Sequence, residues 1–103
     1  MALHNSTGSI SIFIDATIAT IEFGHPASNS FPAQLLYQLT ETIETLGQNP
    51  DVAVVVLKSQ GTATFCAGAS FDELLAVTNE TEGKTFFSGF AHLINAMRKC
   101  PKL

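Results

Sequence analysis

The chain has 103 residues, 46% of them apolar and 14% charged, which suits one small globular domain. A chain of this length buries roughly 65% of its unfolded surface. Its net charge is −4 and its five cations, Lys58, Lys84, Arg98, Lys99 and Lys102, form no basic face, which excludes nucleic acid as a natural partner. No basic-then-apolar leader opens the chain, and no run nears the roughly 18 apolar residues of a membrane span. Two well-separated cysteines, Cys66 and Cys100, suit reduced thiols in the cytoplasm.

Residues 1–9 are polar and read as a tail, and the sequons at Asn5 and Asn79 as accidental. GSISIFID alternates Ile10, Ile12 and Ile14 with Ser11, Phe13 and Asp15, the period of a strand. TIATIEF repeats the pattern after a link short enough for a hairpin. GHPASNSFP is loop. A helix then begins near Phe31, with Pro32 in its first turn and a stripe of Leu35, Leu36, Leu39, Ile43 and Leu46. Gly47 is placed to end it and Pro50 to stop it. DVAVVVLK is an unbroken apolar run and reads as a strand buried on both faces.

SQGTATFCAGA is a small-residue loop. Ser70 with Glu73, and Asn79 with Glu82, form capping boxes for a short helix, FDELLAV, and for a longer one. Phe86, Phe90, Leu93, Ile94 and Met97 form the longer helix's apolar face, with Gly83 and Gly89 each weakening it by about 1 kcal/mol. Arg98 and Lys99 suit its C-terminal end and Pro101 stops it. The last residues, PKL, point outward where a strand would be next, so the chain reads as interrupted.

Most candidate chemistry here has a bland explanation. EGKT at 82–85 lacks the earlier glycine and the preceding strand of a phosphate-binding loop. His4, His25 and His92 share no metal-ligand spacing, and no metal site is expected. Glu41, Glu44, Asp72, Glu73, Glu80 and Glu82 serve as caps or solvated helix faces. Cys66 has no base at a recognised spacing and reads as a small loop residue. Ala67, Gly68 and Ala69 are more informative. They stand between a strand end and a capped helix, with no side chain to block approach, where backbone N–H groups can meet a ligand oxygen gaining negative charge.

In order, HPASNSF, NPDVAVVVLKSQG, TFCAGASFDEL and the helix ending in CPK resemble the N-terminal half of the crotonase superfamily, the enoyl-CoA hydratase/isomerase family, over residues 10–103. FCAGASFDEL is the most specific piece. The resemblance implies an α/β fold, the first part of a spiral of ββα units cut before its second half. It implies an acyl-CoA thioester as substrate, no metal and no separate cofactor. Two backbone N–H groups of such enzymes clamp the thioester oxygen and stabilise an enolate. One falls on Ala69 here. Ala27 and Ser28 would lie along the CoA, with Ala67, Gly68, Ser70 and Phe71 completing the wall. Ser70 stands where the family often has Asp, and still caps a helix. Asp72 stands where some relatives carry a Lys near the CoA phosphates, and its charge would repel phosphate.

The second N–H and the catalytic carboxylates of the family lie beyond the matching half. The polypeptide alone is therefore expected to be inactive, and its parent to be a homotrimer or hexamer. As an enoyl-CoA hydratase/isomerase-like enzyme, the parent would add water across, or remove it to form, the 2,3 double bond of an acyl-CoA. Two other readings stand beside this one. One is a different reaction of the same family, such as isomerisation, thioester hydrolysis, decarboxylation or dehalogenation. The other is a non-catalytic CoA-binding module complete at 103 residues.

Overall fold

The computed structural model describes residues 8–103, so His4 and Asn5 lie outside the described residues. Strands β1 (Ser9–Asp15) and β2 (Ile18–Gly24) form an antiparallel hairpin. Helix α1 (Ala33–Gln48) then leads to β3 (Val54–Ser59), which pairs parallel to β2. The short α2 (Phe71–Ala76) and the long α3 (Glu80–Lys99) follow. Strand order is β1-β2-β3.

Register places the alternating apolar residues in rows on one face: Ile10–Phe23–Ser59, Ile12–Ile21–Leu57 and Ile14–Ala19–Val55. The whole α1 stripe, Leu35, Leu36, Leu39, Ile43 and Leu46, is buried in the same core as the β2 members of these rows. Ala19, Ile21 and Phe23 of the central strand are fully buried there. Helix α3 joins this core through Leu93 and Ala96, with Phe90 and Met97 partly buried against it.

The other sheet face departs from expectation. β3 is an edge strand, and only Val55 of its valines is buried, while Val54 and Val56 are 44% and 40% exposed. They share a face with Ile18 and Phe13, also exposed, so the β-branched run packs on one side only. Along the open edge, the Val55 N–H donates to the Lys102 carbonyl at 2.8 Å, and Lys102 Nζ donates to the Asn49 carbonyl at 2.7 Å. The PKL segment thus folds back onto the domain and does not point outward.

Helix details also shift. Helix α1 starts at Ala33, not near Phe31, because Phe31 is engaged in a β-bridge. It runs past Gly47 to Gln48, with Asn49 as its C-cap in an extended conformation. A side chain at Gly47 would press on Cys100, its Cβ 3.3 Å from that Sγ, so packing and not capping explains this glycine. Gly89 likewise admits Leu36 of α1, whose Cδ1 would lie 3.2 Å from an added Cβ. Its cost in helix propensity is the cost of a close α1–α3 contact. Ile94 is exposed and Ala96 is buried in its place, because α3 turns its smaller residue toward α1.

Candidate active site

Two loops meet at the end of the sheet where β2 and β3 finish. The first, residues 25–32, is built by its own hydrogen bonds. The Asn29 N–H donates to the His25 carbonyl at 3.0 Å, and the His25 N–H donates to Asn29 Oδ1 at 3.1 Å. The Ala27 N–H donates to His25 Nδ1 at 2.9 Å, which makes that nitrogen an acceptor. Ser28 and Asn29 both hold positive φ, 56° and 59°, a region where Asn is among the more tolerated side chains. Asn29 is buried, yet its amide is fully used: Nδ2 donates to the carbonyls of Gln60 at 2.9 Å and Thr64 at 2.7 Å.

The second loop, residues 60–70, has little chemistry of its own. Gly68 takes φ +94° with open space around it, so its conformation, not crowding, calls for glycine. Cys66 Sγ accepts from the Gly68 N–H at 3.3 Å, and the residue packs partly buried against the core. Its sulfur therefore helps shape the turn, a role beyond filling space. Phe65 sets its ring edge against Phe23, centroids 5.2 Å apart, and Phe23 in turn meets Phe31 at 5.1 Å. These rings pin both loops to the end of β2.

A parallel bridge between Phe31 and Ala69 joins the loops directly. The Phe31 N–H donates to the Gly68 carbonyl at 2.7 Å, and the Ser70 N–H donates to the Phe31 carbonyl at 3.0 Å. Backbone groups alternate sides along an extended chain, so the Ala69 N–H between these two bonds faces away from Phe31. It has no acceptor among the described residues.

Ser70 caps α2 by accepting the Glu73 N–H at 3.4 Å, but the reciprocal half of the expected box is absent. The Ser70 N–H is already committed to Phe31, and Glu73 Oε1 instead accepts the Ala33 N–H at 2.7 Å. It thereby serves the start of α1, whose own first turn holds no acid and whose N-cap is Pro32. Asn79 caps α3 by accepting the Glu82 N–H at 2.8 Å. Glu82 reaches one residue further back, accepting from the Thr78 N–H and hydroxyl at 2.9 and 2.8 Å. Those bonds, the backbone one foremost, hold its carboxyl below the usual glutamate range. EGKT lies within α3 and forms no loop.

Between the two loops lies a cleft of about 310 Å³. Ala27, Ser28, Ala67, Ala69, Ser70 and Phe71 line it as expected, joined by His25, Ser30 and Asp72. Gly68 does not line it, because its carbonyl is turned to Phe31. The sequence reading missed Asn29 and the Phe31 bridge. An Asn two residues after Ala27 in a Pro-containing turn was the available signal for the first. A larger cleft, about 600 Å³, lies between α1 and α3 and carries Tyr37, Glu41, His92 and Lys99. A hydrogen bond to Glu41 and that carboxylate's charge push the Tyr37 phenol above its ordinary range. No group of three or more His, Cys, Asp or Glu able to hold a metal occurs among the described residues. No helix among them is long and apolar enough to cross a membrane.

The profile described as enoyl-CoA hydratase/isomerase matches residues 14–103. The chain belongs to the enoyl-CoA hydratase/isomerase family. A Rhodococcus jostii (strain RHA1) relative, (7aS)-7a-methyl-1,5-dioxo-2,3,5,6,7,7a-hexahydro-1H-indene-carboxyl-CoA hydrolase, is 29% identical over 81% of this chain and 28% of its own length. Among solved structures, Pseudomonas aeruginosa DspI superposes with a TM-score of 0.84 at 23% identity, over 96% of this chain and 40% of that one. A structure of an enoyl-CoA hydratase/isomerase family member is 33% identical with a TM-score of 0.76, over 93% of this chain and 38% of its own. The enoyl-CoA hydratase of Bacillus halodurans superposes at 0.79 with 18% identity, over 90% of this chain and 39% of that one. The crotonase-like α/β fold is therefore shown, and the chain spans less than half the length of each of these relatives.

Proposed function

We propose that the cleft is one half of an acyl-CoA thioester site, with the Ala69 N–H as one donor of an oxyanion hole. The observation that carries this reading is the bridge. It commits the Gly68 carbonyl and the Ser70 N–H and leaves the Ala69 N–H, at a cleft wall, without an acceptor among the described residues. Such a donor lowers a barrier when it meets charge that develops only in the transition state, here the enolate oxygen of the thioester. Ala27 and Ser28 then line the CoA, and Ala67, Ser70 and Phe71 complete the wall. Gly68 contributes through its conformation.

In this reading the substrate is an acyl-CoA, no metal or separate cofactor takes part, and the reaction is hydration of an enoyl-CoA or its reverse. The second donor and the acid/base carboxylates come from outside this segment, in a cytoplasmic protein that forms trimers or hexamers. The 103-residue chain by itself would then bind but not turn over.

Thioester hydrolysis is the second reading. Its tetrahedral intermediate places charge on the same oxygen, and the Rhodococcus relative is named a CoA hydrolase. Release of free CoA thiol from an acyl-CoA would mark this branch, and loss of the enoyl chromophore with the thioester intact would mark the first.

Ala69→Pro removes the N–H. In an enzyme containing this segment it should lower kcat by about 10²–10³-fold, the usual cost of one lost oxyanion donor. Cys66→Ser, which retains an acceptor for the Gly68 N–H, should leave kcat within about twofold. Loss of turnover on Cys66→Ser with Ala69→Pro active would make the thiol the working group and overturn the reading.

A further inference from the structure

We propose that Asn29 is the positioning residue of this site, latching the 60–70 loop so that the Ala69 N–H is held toward the cleft. This rests on the reading of Ala69 as an oxyanion donor.

Ala67, Gly68 and Ala69 carry no side chain able to anchor the second loop. Beside the Phe65 ring on Phe23 and the Cys66 contact, its anchors come from the other loop. One Asn29 amide places its two hydrogens on two carbonyls of the second loop, Gln60 and Thr64, and so closes the bend between them. Two residues on, the Phe31 backbone brackets Ala69 with its N–H and carbonyl. Residues 29–31 therefore hold the second loop at both ends.

The chemistry of the latch is specific to an amide. Oδ1 accepts the His25 N–H while Nδ2 faces only carbonyls, which fixes the orientation of the group. A carboxylate would set oxygen against two carbonyls and donate nothing. A hydroxyl would supply one donor where two are used. Asn29 itself is buried, so its amide hydrogens depend on these two carbonyls, of which that of Thr64 also accepts from the Ser59 hydroxyl at 3.5 Å. Asn29 is not among the cleft-lining residues, so any effect it has on a bound thioester passes through the residues it holds, Ala69 by way of the latched loop and His25 in its own loop.

The test uses the 103-residue chain, with Asn29→Asp and Asn29→Gly beside the unaltered protein. Asn29→Gly retains the positive φ and removes only the side chain, so it remains informative if the aspartate variant fails to fold. Two readouts are needed. Amide exchange at Phe31 and Ser70 should accelerate at least tenfold in both variants, while Ile21 and Leu36 exchange as before. On addition of acetyl-CoA, the Ala69 amide resonance should shift in the unaltered chain, and the apparent Kd read from it should weaken at least tenfold in both variants. Unchanged exchange at Phe31 and Ser70, or an Asn29→Gly chain that holds acetyl-CoA as before, overturns the latch. An Ala69 amide in the unaltered chain that ignores acetyl-CoA defeats the oxyanion reading instead, and the exchange data then judge the latch alone.

Discussion

The two loops that form the cleft are made in opposite ways. Residues 25–32 carry their own turn chemistry, with a ring nitrogen, a side-chain amide and two left-handed residues closing hydrogen bonds within the segment. Residues 60–70 carry less, chiefly the Cys66 sulfur within the turn and the Phe65 ring on Phe23, and take much of their shape from what the first loop gives them. The difference teaches a division of labour. In the proposed site the backbone that faces the ligand carries only small side chains, and part of its rigidity is supplied from a neighbour. Preorganisation of a backbone donor then depends on residues that do not touch the ligand.

That contrast can be broken most severely at Phe31. The ring is buried among Phe23 and Phe90, and Phe31→Ala should cost about 3–5 kcal/mol, read as a lower urea midpoint. If stability drops while Ala69 still answers acetyl-CoA, the backbone bridge survives without the ring, and the latch, not the aromatic packing, positions the site. Gly68→Ala asks whether the second loop's freedom matters. With open space around the position, only the +94° φ penalises the methyl, and the expected loss is about 1–2 kcal/mol in the same urea experiment. A neutral result would mean the loop can relax without harm.

The smallest effect is expected away from the site, at Glu82, where acceptor and donors belong to one local turn. Its carboxyl is held below its ordinary range by the Thr78 bonds. Its contribution is thus present above that ordinary range and is lost as pH falls through the depressed value. Acidification should lower the protection of the Thr78 amide, measured against the intrinsic exchange rate at each pH, ahead of that of Phe31 and Ser70. Glu82→Gln should flatten that pH dependence and leave the cleft residues unaffected.

Periodicity made the scaffold legible. The hairpin, the α1 stripe and the parallel strand all follow from patterns that burial enforces row by row. The small-residue run 67–69 pointed to the cleft, whose wall includes Ala67 and Ala69. The two capping boxes show where such reading stops. SFDE and NETE look alike, yet Glu73 crosses to α1 and Glu82 stays local. The choice turned on whether the N-cap's own N–H was taken, and only the Phe31 bridge takes it. Val54, Val56 and Ile94 fail for a related reason. An apolar residue reports an affinity for burial, but what covers it is a matter of neighbours.

By itself, then, the sequence determined element types, the order of strands and helices, and the location of a side-chain-free loop, because these depend on spacing and on backbone preferences of single residues. The tertiary structure alone decided that the Gly68 carbonyl turns to Phe31 while the Ala69 N–H has no acceptor among the described residues, and that Asn29 holds the bend beside it. Those outcomes depend on hydrogen bonds between residues some thirty or more positions apart, and no local pattern encodes which donor meets which carbonyl.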